Sequence, residues 1–177
     1  MNRELLLWRS SAVIVAVTVV LGVLQGVLWS VIAPGEQFVV YPGGQYGALP
    51  TESYHQFASI AIFVLIGVVV ALAVATAVWQ WRSTRGLTTL LVVAGANGLG
   101  ALTAYAVGRA LASGVDPAAV GASRTGTLVT AAPSLGTALV LLAQPAVAVA
   151  VYTFLVAWSG RPDLAISPGA GTQQEDR

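Results

Sequence analysis

Apolar and polar positions alternate along the chain in blocks: four long apolar runs, separated by shorter polar segments. A helix needs about 20 residues, at 1.5 Å rise each, to cross a bilayer. The runs near residues 10–33, 55–81, 86–112 and 134–158 all reach that length. The pattern therefore predicts an all-α, polytopic membrane protein, with one four-helix transmembrane domain over residues 1–159. The second run is the most apolar: between Ala58 and Val78 there is no charge, and twelve residues are Val, Ile, Leu or Phe. At about −0.3 to −0.6 kcal/mol each, these side chains favour insertion by about 5 kcal/mol. The third run carries Gly95, Gly98, Gly100 and Gly108 with Asn97 near its middle, which predicts an inner helix supported by its neighbours.

The first run follows Arg3 and Arg9, as a signal peptide's apolar core would. Its stretch from Ala12 to Ala33 outruns such a core, and Pro34 directly after Val31-Ile-Ala33 makes a poor cleavage context. It is read as a retained helix.

The connections are unequal. Arg82 to Gly86 forms only a tight turn, whereas the other two loops exceed 20 residues, long for compact proteins. In the first, Gln37-Phe-Val-Val-Tyr41 and Gln45-Tyr-Gly-Ala-Leu49 flank a Pro-Gly-Gly turn and predict a short β-hairpin. In the second, Asp116-Pro117 reads as a cap and first residue of a short helix. Residues 160–177 are polar, with Pro162 and Pro168, and predict a disordered tail.

Composition narrows the class. Of 177 residues 56% are hydrophobic and 8% charged, with a mean hydropathy of +0.81. A soluble domain carries about a quarter of its residues as charges, so an ordinary soluble enzyme is excluded. A disordered chain, which needs low hydrophobicity, is excluded too. No cysteine occurs, which removes disulfides and thiolate chemistry, and the lone His55 cannot make a multi-histidine metal site. No cofactor is implied. A net charge of +1 argues against nucleic acid as a partner.

The few charges also orient the chain. Arg3, Arg9, Arg82, Arg85 and Arg161 would share one side, against Arg109 and Arg124 on the other, which predicts both termini in the cytoplasm. Trp8, Trp29, Trp79, Trp81 and Trp158 all fall near span ends, where indole rings favour the membrane interface.

Candidate chemistry lies at two levels. Gln25, Asn97 and Gln144 fall near the midplane of three different helices and predict a shared polar layer. Its plainer reading is interhelical hydrogen bonding; its sharper one is a small polar-ligand site or a permeation path. On helix one, Ser11, Thr18, Gly22, Gln25, Gly26, Trp29 and Ala33 share a face, and Gly22-x-x-x-Gly26 would admit another backbone, within the bundle or in a homodimer. Gly98 is expected on the packing face of helix three. On the outer face the candidates are Glu52, His55, Arg109 and Asp116. Arg109 either snorkels or pairs with Asp116, Glu52 or Glu36, or else it grips a lipid phosphate or a partner carboxylate. No nucleophile, base and orienting group occur at a supporting spacing, so no catalytic residue is assigned.

Between Leu21 and Gly86 the chain shows Gly22-x-x-x-Gly26, Trp29, Ala33-Pro34, Gln56-Phe57 and Trp79-x-Trp-Arg-x-x-Arg-Gly86. In these marks it resembles actinobacterial four-helix membrane proteins grouped only as a domain of unknown function. The likeness runs over about two thirds of the chain, through helix three. It implies an actinobacterial plasma-membrane protein and carries over no catalytic residue. The expected function is a non-enzymatic accessory or scaffold subunit of an envelope or transport complex. The alternatives are an oligomeric transporter or channel and a membrane-embedded enzyme acting on lipid at the outer face. Expected partners are membrane lipids and either a membrane protein or a second copy docked through small-residue helix faces.

Overall fold

The computed structural model describes residues 2–43, 45–49, 52–81, 86–115, 119 and 126–159. Four helices long and apolar enough to cross a membrane carry the fold. They are α1 (Asn2–Ile32), α2 (Glu52–Trp79), α3 (Leu87–Leu111) and α4 (Ala143–Trp158), the last led by a 3-10 turn over Ala138–Leu142.

α1 starts eight residues before the expected boundary, because Glu4, Leu5, Leu6 and Leu7 are all good helix formers. It ends ahead of Pro34, which lacks the N–H a further turn needs. The fourth helix starts later than expected. Gly136 turns the chain at φ +65°, and the Thr137 hydroxyl then caps the 3-10 turn by accepting from the Leu139 N–H at 3.3 Å. Residues 134–137 are therefore not helical.

The long loops come together as a three-stranded antiparallel sheet in the order β2-β1-β3, with β1 (Glu36–Val40), β2 (Tyr46–Ala48) and β3 (Leu128–Ala131). Phe38 pairs with Ala48 on one side and with Val129 on the other. The central strand thus ties the loop after α1 to the loop after α3. The outer edge of β3 is covered where the Val115 N–H donates to the Thr130 carbonyl at 3.0 Å. Asp116-Pro117, where a short helix is expected, and the tail 160–177 lie outside the described residues.

α1 and α3 run parallel and make the most extensive helix contact, with α2 and α4 antiparallel to them. The faces follow the 3.6-residue period: Ile14, Thr18, Gly22, Gln25, Gly26 and Trp29 are the buried positions of α1. One core cluster sits at the end away from the sheet, around Val70, Val74, Val93, Ala148 and Tyr152. The other sits beneath the sheet, around Trp29, Phe63, Ala104 and Leu135. No span buries more than 33% of its most apolar window inside the protein. Leu24, Val31, Leu65, Leu91 and Phe154 stand on the exterior, a surface that suits lipid far better than water.

Candidate functional site

The three amides expected at a common depth do lie together. Gln144 Nε2 donates to Asn97 Oδ1 at 3.2 Å, and Asn97 Nδ2 donates to the Val93 carbonyl at 2.9 Å. Gln25 Nε2 reaches across to the Phe63 carbonyl of α2 at 3.4 Å. Gln25 is 2% exposed, Gln144 2% and Asn97 0%, so these groups have left solvent altogether. Two neighbours complete the centre: Thr18, already expected on this face of α1, and Gly67, which the sequence does not single out. Thr18 turns its hydroxyl back to the Ile14 carbonyl at 2.7 Å, which removes a buried donor. Gly67 makes room: a Cβ there would lie 3.2 Å from Gln25 Nε2 and 3.4 Å from Gln144 Oε1. Its signal in the sequence is a single glycine inside an unbroken Val, Ile and Leu run.

The centre is only partly satisfied. Gln25 Oε1 and Gln144 Oε1 are buried and have no hydrogen-bond partner. Each is a carbonyl acceptor with open lone pairs in an apolar interior, where a missing bond costs about 1–3 kcal/mol. The pair therefore suits a hydrogen-bond donor.

Gly22 and Gly26 are occupied within the chain. A Cβ on Gly22 would collide with the Gly100 carbonyl, and one on Gly26 with the Ala104 carbonyl. Gly108 in turn lies under the Trp29 ring. The packing glycines of α3 are thus Gly100 and Gly108, and Gly98 is corrected: a Cβ on Gly98 meets nothing within 4 Å. Two residues of helix turn the chain by about 200°, so Gly98 and Gly100 cannot face the same neighbour.

A polar chain crosses the core beneath the sheet. Trp29 Nε1 donates to the Ser59 carbonyl at 2.9 Å, Ser59 Oγ donates to the Ser134 carbonyl at 3.4 Å, and Ser134 Oγ donates to Glu36 Oε1 at 2.8 Å. It joins α1, α2, the segment before α4 and β1. Trp29 is thereby corrected as an interface anchor: it is 0% exposed, edge-on to Phe63 at 5.5 Å between centroids and tilted to Tyr105 at 6.3 Å. Trp8, Trp81 and Trp158 are exposed, all at the opposite end of the bundle. Trp79 packs edge-on against Tyr152.

The remaining outer-face candidates do not form a cluster among the described residues. Arg109 is exposed in the last turn of α3, and its expected partner Glu36 is bonded to Ser134 instead. His55 is half-buried in the first turn of α2. Asp116 and the side chain of Glu52 lie outside the described residues. No three His, Asp or Glu side chains among the described residues group as metal ligands.

The chain is 34% identical over 181 residues, 87% of its own length and 91% of the relative's, to the uncharacterized protein Rv1591 of Mycobacterium tuberculosis. It is equally similar to the uncharacterized protein Mb1617 of Mycobacterium bovis. No solved structure matches. The model of one protein family matches from Thr18 to Ile166, that is from the middle of α1 through the sheet and α4. The chain belongs to that family, the proteins of unknown function designated DUF2567.

Proposed function

We propose that this is a multi-pass plasma-membrane protein with both termini in the cytoplasm, acting as a non-enzymatic accessory subunit that docks a larger envelope or transport complex through its sheet. The observation that carries this reading is the sheet itself. β1 is paired on both sides and β3 is covered by Val115, which leaves the outer edge of β2 unpaired among the described residues. An open edge strand is a ready template for a strand from another chain. Tyr41 and Tyr46 stand exposed beside it, and tyrosines of this kind are favoured interface residues. The arginine distribution supports placing the sheet outside, since Arg3, Arg9, Arg82, Arg85 and Arg161 flank the spans at the opposite end.

The test is purification of the tagged protein in mild detergent from its native membrane. A stoichiometric partner should accompany the wild type and be lost when Tyr41 and Tyr46 are both replaced by Asp. Recovery of the chain alone, together with unaltered envelope assembly in a deletion strain, would contradict the reading.

A second reading rests on the two open acceptors of Gln25 and Gln144: a small-solute transporter or channel using the amide centre. Flux into proteoliposomes that is unchanged by a folded Asn97→Leu variant would remove it.

A further inference from the structure

Glu36 opens β1 directly after Pro34 and Gly35 and is only 9% exposed. A buried carboxylate is costly unless it is hydrogen-bonded or paired. Its hydrogen bond comes from Ser134 Oγ at 2.8 Å. Ser134 also lines a cavity of about 360 Å³, with Tyr105, Gly136, Thr137, Ala138 and Leu141. One wall of that cavity is therefore polarised by a negative charge one hydroxyl away.

The opposite charge lies one helical turn beyond the lining. Arg109 follows Tyr105 by four residues, which puts it on the same flank of α3, about 6 Å further along and 40° round. Side chains lean toward a helix's N-terminus, which brings the guanidinium back toward the level of Tyr105. Arg109 is exposed and has no ion pair among the described residues. Depth matches as well. Tyr105 lies six residues from the end of α3, and Ser59, which bonds Ser134, lies six residues from the start of its span. Both are about 9 Å inside the helix ends, within about 5 Å of the hydrocarbon boundary of a 30 Å core.

A ligand for this place has a positive end that donates hydrogen bonds and a negative end about as far away as Arg109 from Ser134. We infer that the cavity binds the head group of an aminophospholipid, its primary ammonium toward Ser134 and Glu36 and its phosphate toward Arg109. A primary ammonium carries three donors, and a quaternary choline head carries none. A wholly anionic head group would meet the charge of Glu36. The inference rests on the membrane-spanning reading, and incorporation into nanodiscs scores that reading separately.

The experiment is lipid exchange of the full chain in nanodiscs of equal phosphatidylethanolamine, phosphatidylcholine and phosphatidylglycerol, with retained lipid counted by native mass spectrometry. Phosphatidylethanolamine should be retained roughly fivefold over phosphatidylcholine, the scale of one charge-assisted hydrogen bond at a half-exposed site. Ser134→Ala should bring that ratio toward one, whereas Arg109→Gln should lower retention of both lipids, which share the phosphate. Ala138→Trp, at an exposed lining position, should abolish retention by filling the cavity. Asp116→Asn should leave retention unchanged; if it acts as Arg109→Gln does, Arg109 serves a structural pair and the inference fails. Equal retention of all three lipids overturns it, as does preference for phosphatidylglycerol. Displacement by inorganic phosphate would show a phosphate site and no lipid site. Circular dichroism and melting in the same nanodiscs establish that each variant is folded, and Ala138→Trp, at an exposed position, gives a second route if Ser134→Ala does not fold. Failure of the wild type to enter nanodiscs would overturn both the inference and the membrane reading.

Discussion

Asn97 on α3 and Gln144 on α4 are joined amide to amide at 3.2 Å, in a part of the bundle where both are fully removed from solvent. Asn97 accepts with Oδ1 while its Nδ2 holds the Val93 carbonyl one turn below, so its side chain is used on both sides. Removing Asn97 leaves the Gln144 amide without any partner, since Gln144 Oε1 has none already.

The Asn97→Ala, Gln144→Ala double-mutant cycle measures this bond. Each single variant should lose about 1–3 kcal/mol, the cost of an orphaned buried polar group. The coupling between them should be about 0.6 kcal/mol and no more than about 1.7 kcal/mol. Unfolding in a fixed detergent mixture supplies all four values, and a coupling of zero would mean that the two amides do not interact.

Glycine variants on α3 separate the packed seam from the exterior. Gly100→Ala should separate α1 from α3 and cost about 1–3 kcal/mol, as overpacking does, because Thr18 and Gln144 already lie 3.1 Å and 3.3 Å from its Cβ position. Gly98→Ala meets nothing within 4 Å. It should be neutral or stabilise by up to about 1 kcal/mol through helix propensity. Melting temperatures of the two variants in one detergent decide the matter; equal effects would contradict the seam.

The same comparison shows what could be read in the sequence. The faces of α1 and α3 follow from spacing alone, because Thr18, Gly22, Gln25, Gly26 and Trp29 recur at helical period and only one neighbour accepts such small residues. The depth of Gln25, Asn97 and Gln144 followed from counting along spans of known rise. Gly95, Gly98, Gly100 and Gly108 are indistinguishable as residue types, and only the rotation of α3 against α1 puts Gly100 and Gly108 in the seam and Gly98 outside it. β3 is illegible in the sequence for a different reason. Leu128-Val-Thr-Ala131 is short, and its pairing with β1 lies about 90 residues away along the chain, so no local pattern marks it. The bond between Ser134 and Glu36 is non-local in the same sense.

Trp29 is expected to be the costliest tryptophan to replace. Trp29→Phe removes the donor to the Ser59 carbonyl and part of a fully buried ring, for a loss of about 1–3 kcal/mol. Trp158→Phe, at 81% exposure, should change stability by no more than about 0.5 kcal/mol. Unfolding of the two variants side by side checks this; a larger loss from Trp158 would contradict the assignment of Trp29 to the core.

The chain holds no cysteine, so single introduced thiols report topology without background. Gln45→Cys lies exposed beside β2, and Gln80→Cys lies exposed just past α2 at the other end. A membrane-impermeant maleimide should label Gln45→Cys in intact cells and Gln80→Cys only after permeabilisation. The reverse result would invert the orientation.

A photo-crosslinking amino acid placed at Tyr46 in living cells tests most directly whether the sheet docks a partner. Leu65, exposed on the apolar side of α2, is the matched control position. One discrete adduct of constant mass from Tyr46, absent from Leu65 and lost when Tyr41 is replaced by Asp, is the outcome the docking role predicts. No adduct at Tyr46, or the same adducts from both positions, would contradict it.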